Sequence, residues 1–124
     1  MRKKFILGLA ILMCSFVFLS VSGSASHPAA GNKAAAAVDK TVTIKNFQFT
    51  PKNVTVKVGS TVTWLNKEGT HTVTADNGSF QSPNLSADKS YSHKFTKAGT
   101  YRYYCSFHGG AGGADMSGTV TVTK

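Results

Sequence analysis

Cys105 and His108 stand in YYCSFH, and Met116 follows on the far side of a glycine-rich interval, HGGAGGADM. Upstream, His71 opens the alternating stretch HTVTA. A thiolate, two imidazoles and a thioether make a soft nitrogen–sulfur donor set. A trigonal His/His/Cys plane with a weak axial methionine is the pattern of a mononuclear copper centre that exchanges single electrons. Against this, a single buried cysteine is commonly only a small hydrophobe. The conjunction of residue types at strand ends, with a histidine before and a methionine after, favours the metal reading.

The cysteine usage points the same way. Residues 1–25 read as a secretory signal: a basic start at Arg2, Lys3 and Lys4, an apolar run from Phe5 to Val21, then small residues that suit cleavage after Ala25. The other reading keeps the apolar run as a membrane anchor, since it is about the shortest length that spans a bilayer. Cys14 lies inside that run. Cleavage leaves Cys105 alone, so in an oxidising compartment it is buried, paired between chains, or bound to something. Metal ligation answers why it is kept unpaired, and coordination holds such a thiol deprotonated. The protein is expected outside the cytoplasm: secreted, periplasmic or at the cell surface.

The donors need a scaffold that brings strand ends together. Residues 26–39 are small and polar and read as a flexible linker, with His27 solvated in it. Residues 40–124 show a period of two in segment after segment: Val42 and Ile44, then Val54 and Val56, then TVTWLN, THTVTA, SYSHKF, TYRYYC and SGTVTVT. Short strands without helical periodicity indicate an all-β, antiparallel Greek-key sandwich. A domain of this size holds one core, expected from the valines with Ile44, Phe47, Trp64, Leu65, Phe95 and the tyrosines.

Over residues 40–124 the chain resembles the cupredoxins, the small blue copper proteins of the plastocyanin and pseudoazurin group. The matching pieces are VTWLNKEGTHTVTA, AGTYRYYCSFH and MSGTVTV. The resemblance implies one copper per chain, cycling between Cu(I) and Cu(II), with His71, Cys105, His108 and Met116 as ligands. It further implies that a group near the first histidine, Asn66 or Thr72, bonds the cysteine sulfur or ties the ligand loops together. The interval from His108 to Met116 is longer than is common in the group. Its glycines are expected to form a loose loop that lets His108 and the axial group settle almost independently, with a backbone oxygen as the alternative axial donor.

Gly109, Gly110, Gly112 and Gly113 carry no side chain to cover His108, so its imidazole edge is expected near the surface amid small and apolar groups. Tyr104 is either a second, more remote route for electrons, as in plastocyanin-like proteins, or an ordinary strand aromatic. His93 lies on one strand face with Tyr91 and Phe95 and reads as a partly buried histidine rather than a fifth ligand.

Enzymatic copper sites need further histidines or a second cysteine in the ligand loop, so the chain is read as a carrier and not an enzyme. The alternative function is a copper carrier or storage protein of the same fold. Beyond the signal the basic residues still outnumber the acids, but they are scattered rather than gathered in a run, which argues against nucleic acid. The surplus suits redox partner proteins with an acidic docking surface. The expected form is a monomer with no integral membrane domain once the signal is removed.

Overall fold

The computed structural model describes residues 36–124, so the expected signal segment, with Cys14, and the linker up to residue 35 lie outside the described residues. Eight strands follow one another: β1 (Lys40–Lys45), β2 (Gln48–Thr50), β3 (Asn53–Lys57), β4 (Thr61–Asn66), β5 (Thr74–Ala75), β6 (Ser90–Lys94), β7 (Gly99–Gly110) and β8 (Ala114–Thr123). They form two four-stranded sheets, β2-β1-β4-β6 and β3-β8-β7-β5. The all-β sandwich expected from the alternation is present. Each sheet, however, contains one parallel pair, β1 with β4 and β3 with β8, so the sheets are mixed rather than wholly antiparallel. A period of two reports which face of a strand is buried and carries no information about the direction of its neighbour.

The alternation sorts side chains cleanly. Val42 and Ile44 of β1, Val54 and Val56 of β3, Val62 and Trp64 of β4, and Val120 and Val122 of β8 all point into one core. Burying each such aliphatic side chain contributes about 1.5–3 kcal/mol before entropy is counted. Trp64 and Tyr103 meet edge to face across the two sheets, with centroids 5.3 Å apart and planes at 78°. The Tyr103 hydroxyl crosses directly over Gly118, where a Cβ would collide with it. Only glycine fits under that ring. Burial pushes the Tyr103 phenol up to about 12.

Two expected core residues are placed elsewhere. Leu65 lies on the outer face of β4 and is only half-buried, since Trp64 and Asn66 take the inward positions. Phe47 is 62% exposed, in the two-residue turn between β1 and β2. Just before β1, the Val38 amide donates to Ser60 Oγ at 3.0 Å, and the Thr61 amide donates to the Asp39 carboxylate at 2.8 Å. These contacts fasten the chain's approach to the first strand. No helix among the described residues is long and apolar enough to cross a membrane.

Candidate metal centre

The site lies where β7 and β8 part. Tyr104 pairs with Ser117, and the next pairing is Gly109 with Asp115. Four residues, Cys105 to His108, therefore arch over the register that Met116 alone spans on β8. A bulge of this kind re-aims side chains that a regular ladder would send to alternate faces. Here it lets Cys105 and His108 face the same point, which strict alternation between residues three apart would forbid.

His71 arrives on the segment between β4 and β5. It forms a two-way bridge with Leu85, donating at 3.0 Å and accepting at 2.8 Å through the backbone. Asn66 holds this segment from beneath. Its fully buried amide donates to the Leu85 carbonyl at 2.7 Å and the Gly69 carbonyl at 3.0 Å, and its oxygen accepts from the Glu68 amide at 3.3 Å. Asn66 thus ties the turn before His71 to the segment that His71 pairs with. It does not reach the sulfur.

Thr72 does. Its amide donates to Cys105 Sγ at 3.4 Å, and its hydroxyl accepts from the Ser106 amide at 2.8 Å while also pairing with the Ser106 hydroxyl at 2.8 Å. One threonine therefore bonds the sulfur and clamps the two ligand segments together.

The donors converge. Cys105 Sγ lies 3.7 Å from His71 Nδ1 and 3.5 Å from His108 Nδ1, and one ligand atom from each residue falls within 4.8 Å of the others. The imidazole centroids are 5.0 Å apart. Cys105 and His71 are buried, and His108 is exposed, as the absence of covering side chains implies. Burial lowers the His71 pKa, helped by the neighbouring His108, while the Glu68 charge and backbone carbonyl oppose the shift. An imidazole kept neutral in this way is ready to donate its lone pair to a metal. Two nitrogens and a sulfur at this separation fit copper in donor type.

Met116 is buried at the start of the regular part of β8, opposite the arch. The glycine-rich interval is not the loose loop expected. Gly109 and Gly110 pair with Asp115 and Ala114, a tight turn with Gly112 at φ +84° and Gly113 at φ +90° closes the end, and the Gly112 amide donates to Asp76 at 2.8 Å. A Cβ on Gly109 would sit 2.5 Å from the Met116 carbonyl oxygen. The glycines serve close approach and left-handed turns, and His108 and Met116 are coupled through a paired ladder rather than free of one another.

His93 stays apart from this cluster. It pairs with Val62, packs on Phe80 and Phe95 with centroids at 4.8 Å to each, and has its pKa lowered by burial. Tyr104 is half-buried and pairs with Thr74 and Ser117, and His27 lies outside the described residues.

Phe47 is the residue that alternation misplaced. Its ring meets His108 at 4.8 Å and 74°, and His71 at 5.8 Å and 83°, both edge to face. Such pairs contribute about 0.5–1.5 kcal/mol each, similar to the roughly 1–2 kcal/mol that a non-glycine residue loses in the left-handed region. Phe47 has φ +55°. The sequence signal lay in the dipeptide Asn46-Phe47, which stands between two alternating runs where Asn-Gly is the common turn.

Comparison with known proteins agrees with this geometry. The family described as copper binding proteins of the plastocyanin/azurin group matches residues 36–123. Plastocyanin of Scenedesmus fuscus is 43% identical over 86 residues, covering 60% of this chain and 85% of that protein. Amicyanin of Paracoccus denitrificans is 37% identical over 73 residues, covering 54% of this chain and 56% of that protein. Among solved structures, the purple cupredoxin from Nitrosopumilus maritimus superposes with a TM-score of 0.60 at 33% identity, over 68% of this chain and all of that one. A soft His/Cys/His cluster at the open end of a β-sandwich, matched along its length by this family, settles the assignment: the chain belongs to the plastocyanin/azurin family of copper-binding proteins, and its cofactor is copper.

Proposed function

We propose that the protein carries single electrons between redox partners outside the cytoplasm. In this reading His71 Nδ1, Cys105 Sγ and His108 Nδ1 would hold one copper, with the Met116 thioether as a weaker fourth donor. The observation that supports it most directly is the convergence of the three donors around a sulfur that accepts the Thr72 amide. Bound copper supplies a one-electron Cu(I)/Cu(II) couple.

The protein's part is to hold the donors still. Asn66 fixes the His71 segment, Thr72 locks it to Ser106, and the β7–β8 ladder fixes the arch from the other side. Donors held by hydrogen bonds that do not involve the metal keep their places in both oxidation states. Buried His71 and Cys105 are shielded from water, whereas His108 brings an imidazole edge to the surface between Phe47 and Phe107. That edge is the short route for an electron to and from a partner. The excess of lysines suits a partner with an acidic face, and the role is that of a carrier rather than an enzyme.

The test is one equivalent of Cu(II) added to the protein lacking residues 1–25, read by visible absorption and electron paramagnetic resonance. An intense thiolate-to-copper band that Cys105→Ser abolishes supports the reading. A colourless complex, or colour unchanged by Cys105→Ser, overturns it. Rapid surrender of the metal to a mild chelator, with no reversible redox wave, favours a copper carrier or storage protein instead. N-terminal sequencing of the exported protein checks cleavage after Ala25.

A further inference from the structure

The turn joining β1 to β2 consists of Asn46 and Phe47 alone, with φ +52° and +55°. Two successive left-handed residues are the requirement of the hairpin turn that most often carries Asn-Gly. Asparagine suits the first position. Phenylalanine does not suit the second, where its Cβ crowds the following carbonyl. Burial offers no compensation, because Phe47 is 62% exposed. A residue kept against its local preference, on a side chain left in solvent, points to a role outside the stability of the fold.

What the conformation achieves is contact with both imidazoles. The Phe47 ring stands edge to face on His108 and on His71, so one side chain bridges a buried and an exposed member of the cluster. The turn is aimed by a specific bond: the Asn46 amide donates to the Glu68 carboxylate. Glu68 belongs to the turn that Asn66 anchors just before His71, and the adjacent Lys67 amide donates to the Ile44 carbonyl at 2.9 Å. The β1–β2 turn and the His71 turn therefore move as one piece, with the Phe47 ring as the part that reaches His108.

We infer that Phe47 is a positioning residue of the copper site, which restrains the His71 and His108 rings before the metal binds and does so at the expense of the stability of its own turn. This rests on the copper reading above. The ring limits rotation of each imidazole about its Cβ–Cγ bond. Outside the cluster of Cys105 and His71, the other aromatic neighbour of exposed His108 is the adjacent Phe107, at 6.2 Å.

Three variants separate the ring from the strain. Phe47→Gly removes both, Phe47→Ala removes the ring and keeps the left-handed Cβ, and Phe47→Tyr keeps both. Metal-free Phe47→Gly is expected to melt higher than Phe47→Ala by roughly 4 °C or more, since the two differ only in the left-handed Cβ and relieving backbone strain in a domain of this size shifts the transition on that scale. Metal-free Phe47→Ala, which loses the ring contacts and keeps the strain, melts below wild type. In the same metal-free proteins, nitrogen NMR of the His71 and His108 rings shows greater mobility in Phe47→Gly and Phe47→Ala than in wild type and Phe47→Tyr. Copper-loaded Phe47→Gly and Phe47→Ala lose metal to a chelator about tenfold faster, while Phe47→Tyr behaves as wild type. A metal-free Phe47→Gly no more stable than Phe47→Ala, unchanged ring mobility, or unchanged copper release in both ring-less variants overturns the proposal. A wild type that takes up no copper overturns the copper reading, and the metal-free melting and ring-mobility results still decide the role of Phe47.

Discussion

The Thr72 amide donates to Cys105 Sγ while the Thr72 hydroxyl accepts from the Ser106 amide. A single residue next to one proposed ligand therefore grips both the sulfur of another and the residue beyond it. The two contacts are separable, because the first uses the backbone and the second the side chain. Thr72→Val keeps the shape and the amide–sulfur bond but leaves the Ser106 amide without its acceptor. Losing a partly buried hydrogen bond of this kind costs about 1 kcal/mol. The metal-free protein is expected to melt a few degrees lower, and the copper form to keep its charge-transfer band with faster release of metal. An unchanged melting transition and release rate would show that the clamp contributes nothing.

Gly109→Ala tests the arch. The new Cβ would fall 2.5 Å from the Met116 carbonyl oxygen, which belongs to a paired strand and cannot swing aside as a side chain could. Overpacking against backbone costs about 1–3 kcal/mol. Thermal melting should report that loss, and the absorption of the copper form should shift because His108 precedes the displaced residue. Gly112→Ala disturbs the turn through its φ of +84° but meets nothing within 4 Å, so its effect should be confined to stability. Equal spectra for wild type and Gly109→Ala would contradict the coupling.

Met116→Leu probes the proposed thioether donor. The substitution roughly conserves volume, so the fold should lose less than about 1.5 kcal/mol. Copper and colour are expected to remain, while the reduction potential rises, because removing a weak donor disfavours Cu(II) relative to Cu(I). Voltammetry alongside copper quantitation decides it. A potential identical to wild type would remove Met116 from the ligand set.

His93 offers a pH signature away from the metal. Burial against Phe80 and Phe95 lowers its pKa below 6.5 in the folded protein. The unfolded chain then binds a proton at a higher pH than the folded chain does. Stability is full above about 6.5 and declines as pH falls from there through the folded-state value. His71 is shifted the same way in the metal-free protein. Melting temperature followed from neutral pH to about 5 should therefore fall less steeply in metal-free His93→Gln than in metal-free wild type. Parallel curves would show that His93 titrates alike in both states.

The alternation of β-branched residues made the sandwich legible, since Val42, Ile44, Val62 and Trp64 point inward as their spacing implies. The convergence of His71, Cys105 and His108 was legible from residue type and strand context. Strand direction was not, because Val54 pairs with Val120 in a parallel register that no local pattern announces. The hairpin from Gly109 to Asp115 was hidden for a different reason: glycine and alanine give no periodicity, and the same letters serve a loose loop or a close-packed ladder. Phe47 was misread because a large apolar side chain between two strands suggests a core residue, and turn geometry overrode that suggestion. Thr72 was marked by its position beside His71, whereas Ser106, its partner, carried no signal of its own.

The hairpin beyond the arch divides the chain between His108 and Met116 into two parts with different freedoms. Gly109 pairs with Asp115 and Gly110 with Ala114, and the turn beyond them is fastened to Asp76 through the Gly112 amide. Residues added in pairs at Ala111–Gly113 would lengthen the ladder outward and leave the arch in register. The tip thus has an anchor of its own at Asp76, and an insertion there is expected to break that anchor first while the Gly109–Asp115 and Gly110–Ala114 pairs remain.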